Sequence, residues 1–170
     1  EPAFESIDNL IEVLGPILAA DVSRPYGLFG CSFGGLVAFE LCRYMRRHGH
    51  PLPLQLFIAA TRGPSVKRAS PTMHMLSDAA LIRRVSDLYG PLPQAVLDSP
   101  DMRDMVLGIL RADLKCVETY RYVSEPRLPI PMTIFGGTRD QGVTVDMLDD
   151  RRLQTDGHVD IRIFDAPHLF

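Results

Sequence analysis

Tyr26-Gly-Leu-Phe-Gly-Cys-Ser-Phe-Gly-Gly35 is the stretch that decides how this chain folds. Within it Gly30, Ser32 and Gly34 spell G-x-S-x-G. The run leading in, Pro25 to Phe29, is short, apolar and aromatic, as a buried parallel strand requires. The run leading out, Leu36-Val-Ala-Phe-Glu-Leu-Cys-Arg-Tyr-Met45, has apolar residues at helical spacing. A serine between such a strand and such a helix reads as a nucleophile elbow. The turn is tight enough to demand almost no side chain at both glycine positions. It also holds the serine in a strained backbone conformation that pushes its oxygen out over the sheet. Ser32 is therefore the expected nucleophile. The competing reading, an ordinary glycine-rich turn, leaves the flanking strand and helix unexplained.

Working outward, Glu5 to Ala20 carries Ile7, Leu10, Ile11, Leu14 and Leu18 on one helical face, and Pro25 closes the loop before the strand. Beyond the elbow helix, Arg43, Arg46, Arg47, His48 and Gly49 form a basic helix end with a glycine stop. Leu54 to Ala60 reads as a second buried strand and Thr61 to Ser65 as a loop. Helical patterns follow over Asp78–Leu88, Gln94–Leu97 and Pro100–Tyr122, broken by Gly90-Pro91-Leu92-Pro93. Pro129 to Gly137 reads as a strand, Val145 to Arg152 as a short helix and Val159 to Phe164 as a last strand. Strands alternating with helices predict a mostly parallel sheet with helices on both faces. The helical excursion over about residues 65–127 cannot join that sheet and reads as a lid over its C-terminal edge.

The chain has 170 residues, 46% hydrophobic and 23% charged, as a soluble globular domain with a sizeable core would. A net charge of −3 argues against general nucleic-acid binding. No apolar run approaches the length of a membrane span. Three cysteines, Cys31, Cys42 and Cys116, form neither a metal-ligand spacing nor a disulfide framework, and read as small core residues in a reducing cytoplasm. Only about 30 residues precede Ser32, the first residue is not Met, and the chain stops at Phe170 just past a candidate catalytic loop. The expectation is a partial domain over residues 1–170, with its N-terminal strands and its last helix outside it.

A serine hydroxyl is a poor nucleophile until a base takes its proton, and that base needs an orienting carboxylate. In α/β-hydrolases the chain order is Ser, acid, His. Asp140 sits just after a predicted strand in Gly136-Gly-Thr-Arg-Asp-Gln-Gly-Val143, and His168 just past the last strand. Both fall at C-terminal strand ends, where open α/β sheets bind ligands. His48 and His50 flank a glycine turn and read as surface residues; His74 lies at the entrance to the lid; His158 precedes its strand and emerges at the wrong end. His168 is the histidine that remains. The backbone N–H of Phe33 supplies one donor to an oxyanion hole, and its partner is expected from a loop after an earlier strand that this chain does not contain.

With these residues located, the chain resembles the thioesterases of polyketide and nonribosomal peptide assembly lines, above all the stand-alone type II enzymes. The matching stretches are Leu28 to Leu41, Leu54 to Pro64, Met75-Leu-Ser-Asp-Ala-Ala-Leu-Ile82, Leu110-Arg-Ala-Asp113 with Tyr120, and Gly136 to Val143. Departures are Cys31 where the family usually has His, Ala166-Pro-His-Leu-Phe170 in place of a Gly-Gly-His-Phe motif, and the absence of Trp. The resemblance implies an α/β-hydrolase fold and a catalytic triad falling on Ser32, Asp140 and His168. It implies hydrolysis of acyl or aminoacyl groups from the phosphopantetheine arm of an acyl or peptidyl carrier protein. No cofactor or metal of the enzyme's own is implied. A terminal release or cyclising domain and a general carboxylesterase are the other enzymes these motifs accommodate; a non-catalytic hydrolase-fold binding protein is the reading from a different class.

Two further expectations follow. Lid residues Met73, Met75, Leu76, Leu107, Ile109 and Leu110 are candidates to line an acyl channel, or else simply pack the lid onto the sheet. Arg62, Lys67 and Arg68 follow a strand on the correct edge and are candidates to dock an acidic carrier, or else form a solvated charge run.

Overall fold

The computed structural model describes residues 3–66 and 72–170. Four strands, β1 (Gly27–Cys31), β2 (Gln55–Ala59), β3 (Met132–Gly137) and β4 (Val159–Phe164), form one parallel sheet in the order β1-β2-β3-β4. The register pairs Leu28 with Leu56, Leu56 with Met132 and Met132 with Val159. Because side chains alternate across a strand, this register stacks Leu56, Ile58, Met132 and Ile134 on one face. All four are fully buried, against Ala38, Phe39 and Cys42 of helix α2 (Phe33–Arg47) together with Leu128 and Leu148. Burial of each such side chain stabilises by about 1.5–3 kcal/mol. The opposite face carries an aromatic row: the Phe57 and Phe135 rings lie 6.5 Å apart, Phe135 and Phe164 6.2 Å, and Phe164 and Phe170 5.6 Å. Phe164 and Phe170 of that row are exposed, as is Phe29, the register partner of Phe57.

Helix α1 (Ile7–Asp21) starts where the Ser6 hydroxyl accepts from the Asn9 N–H. Its apolar face buries Ile7 and Ile11 against Leu36, Leu41, Tyr44 and Met45 of α2. Between β2 and β3 lies the helical excursion: α3 (Asp78–Tyr89), α4 (Gln94–Asp98) and α5 (Pro100–Thr119), with a 3-10 turn at Met73–Met75. This excursion has its own small core of Met73, Leu81, Val85 and Leu107. The chain returns from α5 to the sheet along α2, held by charge. Arg43 pairs with Glu40 and Glu125, each at 2.7 Å, while Arg46 and Arg47 also engage Glu125. The Tyr120 hydroxyl donates to Glu40 at 2.6 Å, and burial raises its pKa.

Sequence and structure differ at a few boundaries. β3 begins at Met132 and not at Pro129, because neither Pro129 nor Pro131 has an N–H to give the ladder. The segment read as a helix over Val145–Arg152 forms two 3-10 turns, Val145–Met147 and Asp149–Leu153. There the Asp150 carboxylate accepts from the Ser65 N–H and hydroxyl. Among the described residues no helix is long and apolar enough to cross a membrane.

Candidate active site

All four strands run the same way, so the loops after β1, β2, β3 and β4 meet at one edge of the sheet. At the end of β1, Ser32 stands at φ 52° and ψ −119°, a left-handed conformation that costs a residue with a Cβ about 1–3 kcal/mol. The strain is held from both sides: the Ser32 N–H donates to the Ala59 carbonyl at 2.9 Å, and its carbonyl accepts from the Gly35 N–H at 3.0 Å. A Cβ at Gly30 would lie 2.1 Å from the Gly34 carbonyl oxygen, and one at Gly35 would lie 2.2 Å from Thr61 Oγ1. At Gly34, by contrast, a Cβ meets nothing within 4 Å. The close approach expected at both motif glycines is thus at Gly30 and Gly35.

Ser32 makes no capping bond to α2, and its hydroxyl turns outward instead. His168 Nε2 lies 2.8 Å from Ser32 Oγ, and His168 Nδ1 lies 2.7 Å from Asp140 Oδ2. A carboxylate only accepts, so Nδ1 carries the proton and the lone pair of Nε2 faces the serine hydroxyl. The other carboxylate oxygen of Asp140 accepts from the Gly142 N–H at 2.8 Å and the Val143 N–H at 2.9 Å. Asp140 is 6% exposed and His168 3%, so this relay is shielded from water. Such an array can move a proton from a hydroxyl to an imidazole while the carboxylate steadies the charge formed. The N–H of Phe33 opens α2 at the positive end of the helix dipole, where backbone donors lack an intrahelical acceptor.

Tyr89, the last residue of α3, rests its ring 4.5 Å from the His168 ring at 48°. Nothing in the local sequence around Tyr89 marks this contact, which arises when α3 folds over the site. Cys31 is half-buried beside the elbow, and burial together with the Asp140 charge raises its thiol pKa. Among the described residues no cluster of His, Cys, Asp and Glu has the arrangement to hold a metal ion.

The candidate lid and docking residues separate. Met73 and Leu107 are buried inside the helical excursion's own core, with Leu76 and Leu110 packed against it. Met75 and Ile109 face outward, 73% and 54% exposed. Arg62 is half-buried, and its guanidinium donates to the Gly142 carbonyl at 3.0 Å. Lys67 and Arg68 lie outside the described residues. His74 pairs through Nδ1 with Glu118, whose carboxylate also takes the Met73 N–H at 2.7 Å. His48 and His158 are exposed, His48 just past the C-terminal end of α2 and His158 just before the start of β4.

The thioesterase-domain family model matches residues 1–170. This chain belongs to the thioesterase family. It is 29% identical over 170 residues to the gramicidin S biosynthesis protein GrsT of Aneurinibacillus migulanus, covering 100% of this chain and 66% of that protein. Among solved structures it superposes on the type II thioesterase BorB from the borrelidin biosynthetic cluster with a TM-score of 0.89 at 35% identity, over 100% of this chain and 69% of that one. The RedJ thioesterase of the prodiginine pathway in Streptomyces coelicolor gives a TM-score of 0.88 at 33% identity, over 98% and 65%. This thioesterase chain therefore spans about two-thirds of the length of such relatives. The parallel sheet with flanking helices is the α/β-hydrolase fold of that family.

Proposed function

We propose that this chain is the catalytic part of a thioesterase that hydrolyses acyl or aminoacyl groups from the phosphopantetheine arm of carrier proteins, clearing stalled polyketide or nonribosomal peptide assembly lines. The observation that supports it best is the single imidazole of His168, within hydrogen-bond reach of both Ser32 Oγ and Asp140 Oδ2. Names among the relatives, drawn from gramicidin S, prodiginine and borrelidin biosynthesis, point to the same substrate class.

In the proposed reaction Ser32 Oγ attacks the thioester carbonyl carbon as its proton passes to His168 Nε2. The carbonyl oxygen takes the negative charge facing the Phe33 N–H. Collapse breaks the carbon–sulfur bond, and His168 returns the proton to the departing thiol. Water, losing its proton to the same nitrogen, then attacks the acyl-serine and releases a free acid while Ser32 regains its hydrogen. Asp140 holds the ring in place and offsets the imidazolium charge in both halves.

The test compares kcat/KM for one acyl group presented on a carrier protein and as a simple oxygen ester, using the full-length protein. A strong preference for the carrier is expected, abolished in Ser32→Ala and reduced about 10⁴-fold in kcat by Asp140→Asn, which leaves the imidazole in the wrong tautomer. Equal or better turnover of the oxygen ester would make the protein a general esterase. Turnover of neither would leave a binding role.

A further inference from the structure

Two side chains on the loop after β2 bind the loops that carry the relay. Thr61, 7% exposed, places Oγ1 2.7 Å from the Ser32 carbonyl oxygen and 2.8 Å from that of Ala59, so its one proton bridges the ends of β1 and β2. The same side chain packs against Gly35, where any Cβ would collide with it. The next residue, Arg62, reaches the other way and donates to the Gly142 carbonyl at 3.0 Å, while the Gly142 N–H holds Asp140 Oδ1. The backbone between them is itself braced. Ala60 stands at φ 48°, a second non-glycine left-handed residue, its N–H donates to the Phe135 carbonyl at 2.9 Å, and the Arg62 carbonyl accepts from buried Arg151 at 2.8 Å.

We propose that Thr61 and Arg62 are positioning residues that bracket the site, Thr61 gripping the nucleophile's own carbonyl and Arg62 the acid's turn, so that the loop after β2 sets the distance His168 must span. This rests on the reading of Ser32, Asp140 and His168 as the reacting set. The physical reason is the strain at Ser32. A serine in a left-handed conformation relaxes unless its neighbours hold it, and its carbonyl is the atom that moves most directly with its φ and ψ. His168 contacts Ser32 through one bond of 2.8 Å, which leaves little room for such a movement. Arg62 enters this bracket through a backbone carbonyl of the acid loop, a role different from meeting a carrier protein at the surface.

The experiment measures the second-order rate at which a small alkyl fluorophosphonate labels Ser32 in the full-length protein, alongside kcat and KM for a carrier-bound acyl group. Thr61→Val keeps the shape and removes the hydroxyl; it should label about tenfold more slowly, the value of one hydrogen bond in a reacting geometry, and lower kcat with KM unchanged. Thr61→Ser restores the hydroxyl and should label within about twofold of wild type. Arg62→Gln should also slow labelling, whereas a carrier-docking role for Arg62 would raise KM for the carrier substrate and leave labelling by the small probe untouched. Wild-type labelling rates in Thr61→Val, equal slowing in Thr61→Ser and Thr61→Val, or a wild-type Ser32 that the probe does not label would each overturn the bracket. Thermal melts of each variant show that the labelled species is folded. Bracketed labelling without turnover of any thioester would sink the proposed substrate class and leave the bracket standing.

Discussion

Three glycines surround Ser32, and a methyl group added at each would meet different surroundings. At Gly30 it runs into the backbone of Gly34, which cannot yield; at Gly35 it meets the Thr61 side chain and Ile58; at Gly34 it is free. Gly30→Ala is therefore expected to prevent a folded elbow, Gly35→Ala to cost about 1–3 kcal/mol by overpacking, and Gly34→Ala to fall within about 1 kcal/mol of wild type. Urea unfolding of the three variants checks the order, and a Gly34→Ala variant less stable than Gly35→Ala would contradict it. The G-x-S-x-G spelling does not rank these positions, since the second close approach is made by the residue after the motif. Ser32, Asp140 and His168 could be placed at one sheet edge from the sequence because each lies on the loop after a strand whose apolar pattern is local. The roles of Thr61 and Tyr89 were not legible: they exist only once β1 meets β2 and α3 folds over His168. Arg62 read as a surface cation because nothing local reveals that a carbonyl some 80 residues on, that of Gly142, takes its guanidinium.

Among the described residues, the helical excursion between β2 and β3 builds a core of its own. Leu81 is fully buried and Leu107 3% exposed, both within the α3–α5 cluster and not in the cores on α2. Leu81→Ala is expected to cost about 2–5 kcal/mol of packing. Because the cluster is separate, that loss should open α3 and α5 locally before the sheet. Hydrogen exchange is the measurement. Faster exchange confined to residues of α3 and α5 is expected, and equal acceleration in β2 and β3 would show the helical excursion and the sheet to be one cooperative unit. The sequence showed that these helices exist, through apolar spacing and the Gly90–Pro93 break. It did not separate Met73 and Leu107, which point inward, from Met75 and Ile109, which do not, since methionine and isoleucine suit a core and a channel wall equally.

Across the whole molecule, stability should respond to pH through Asp113, on α5. Burial raises its carboxyl pKa above the ordinary value of 3.8, so the folded state resists its ionisation. Whatever stability the protonated group allows is present below the unfolded value and is lost as pH rises through the higher folded value. Asp113→Asn, which cannot ionise, should melt above wild type at pH 7, with the gap closing as pH falls toward 3.8. Equal melting temperatures at neutral pH would refute this. The pairing of Leu56 with Met132 has a consequence of a different kind, for how this architecture can change over time. The whole helical excursion is looped out between those two neighbours, and the entropy of closing a loop grows only logarithmically with its length. Doubling that loop would cost about 0.6 kcal/mol, less than a single lost methyl group in the sheet. Insertions and wholesale rewriting are therefore thermodynamically cheap in this excursion, whose Tyr89 lies against His168, and expensive in the sheet beneath it.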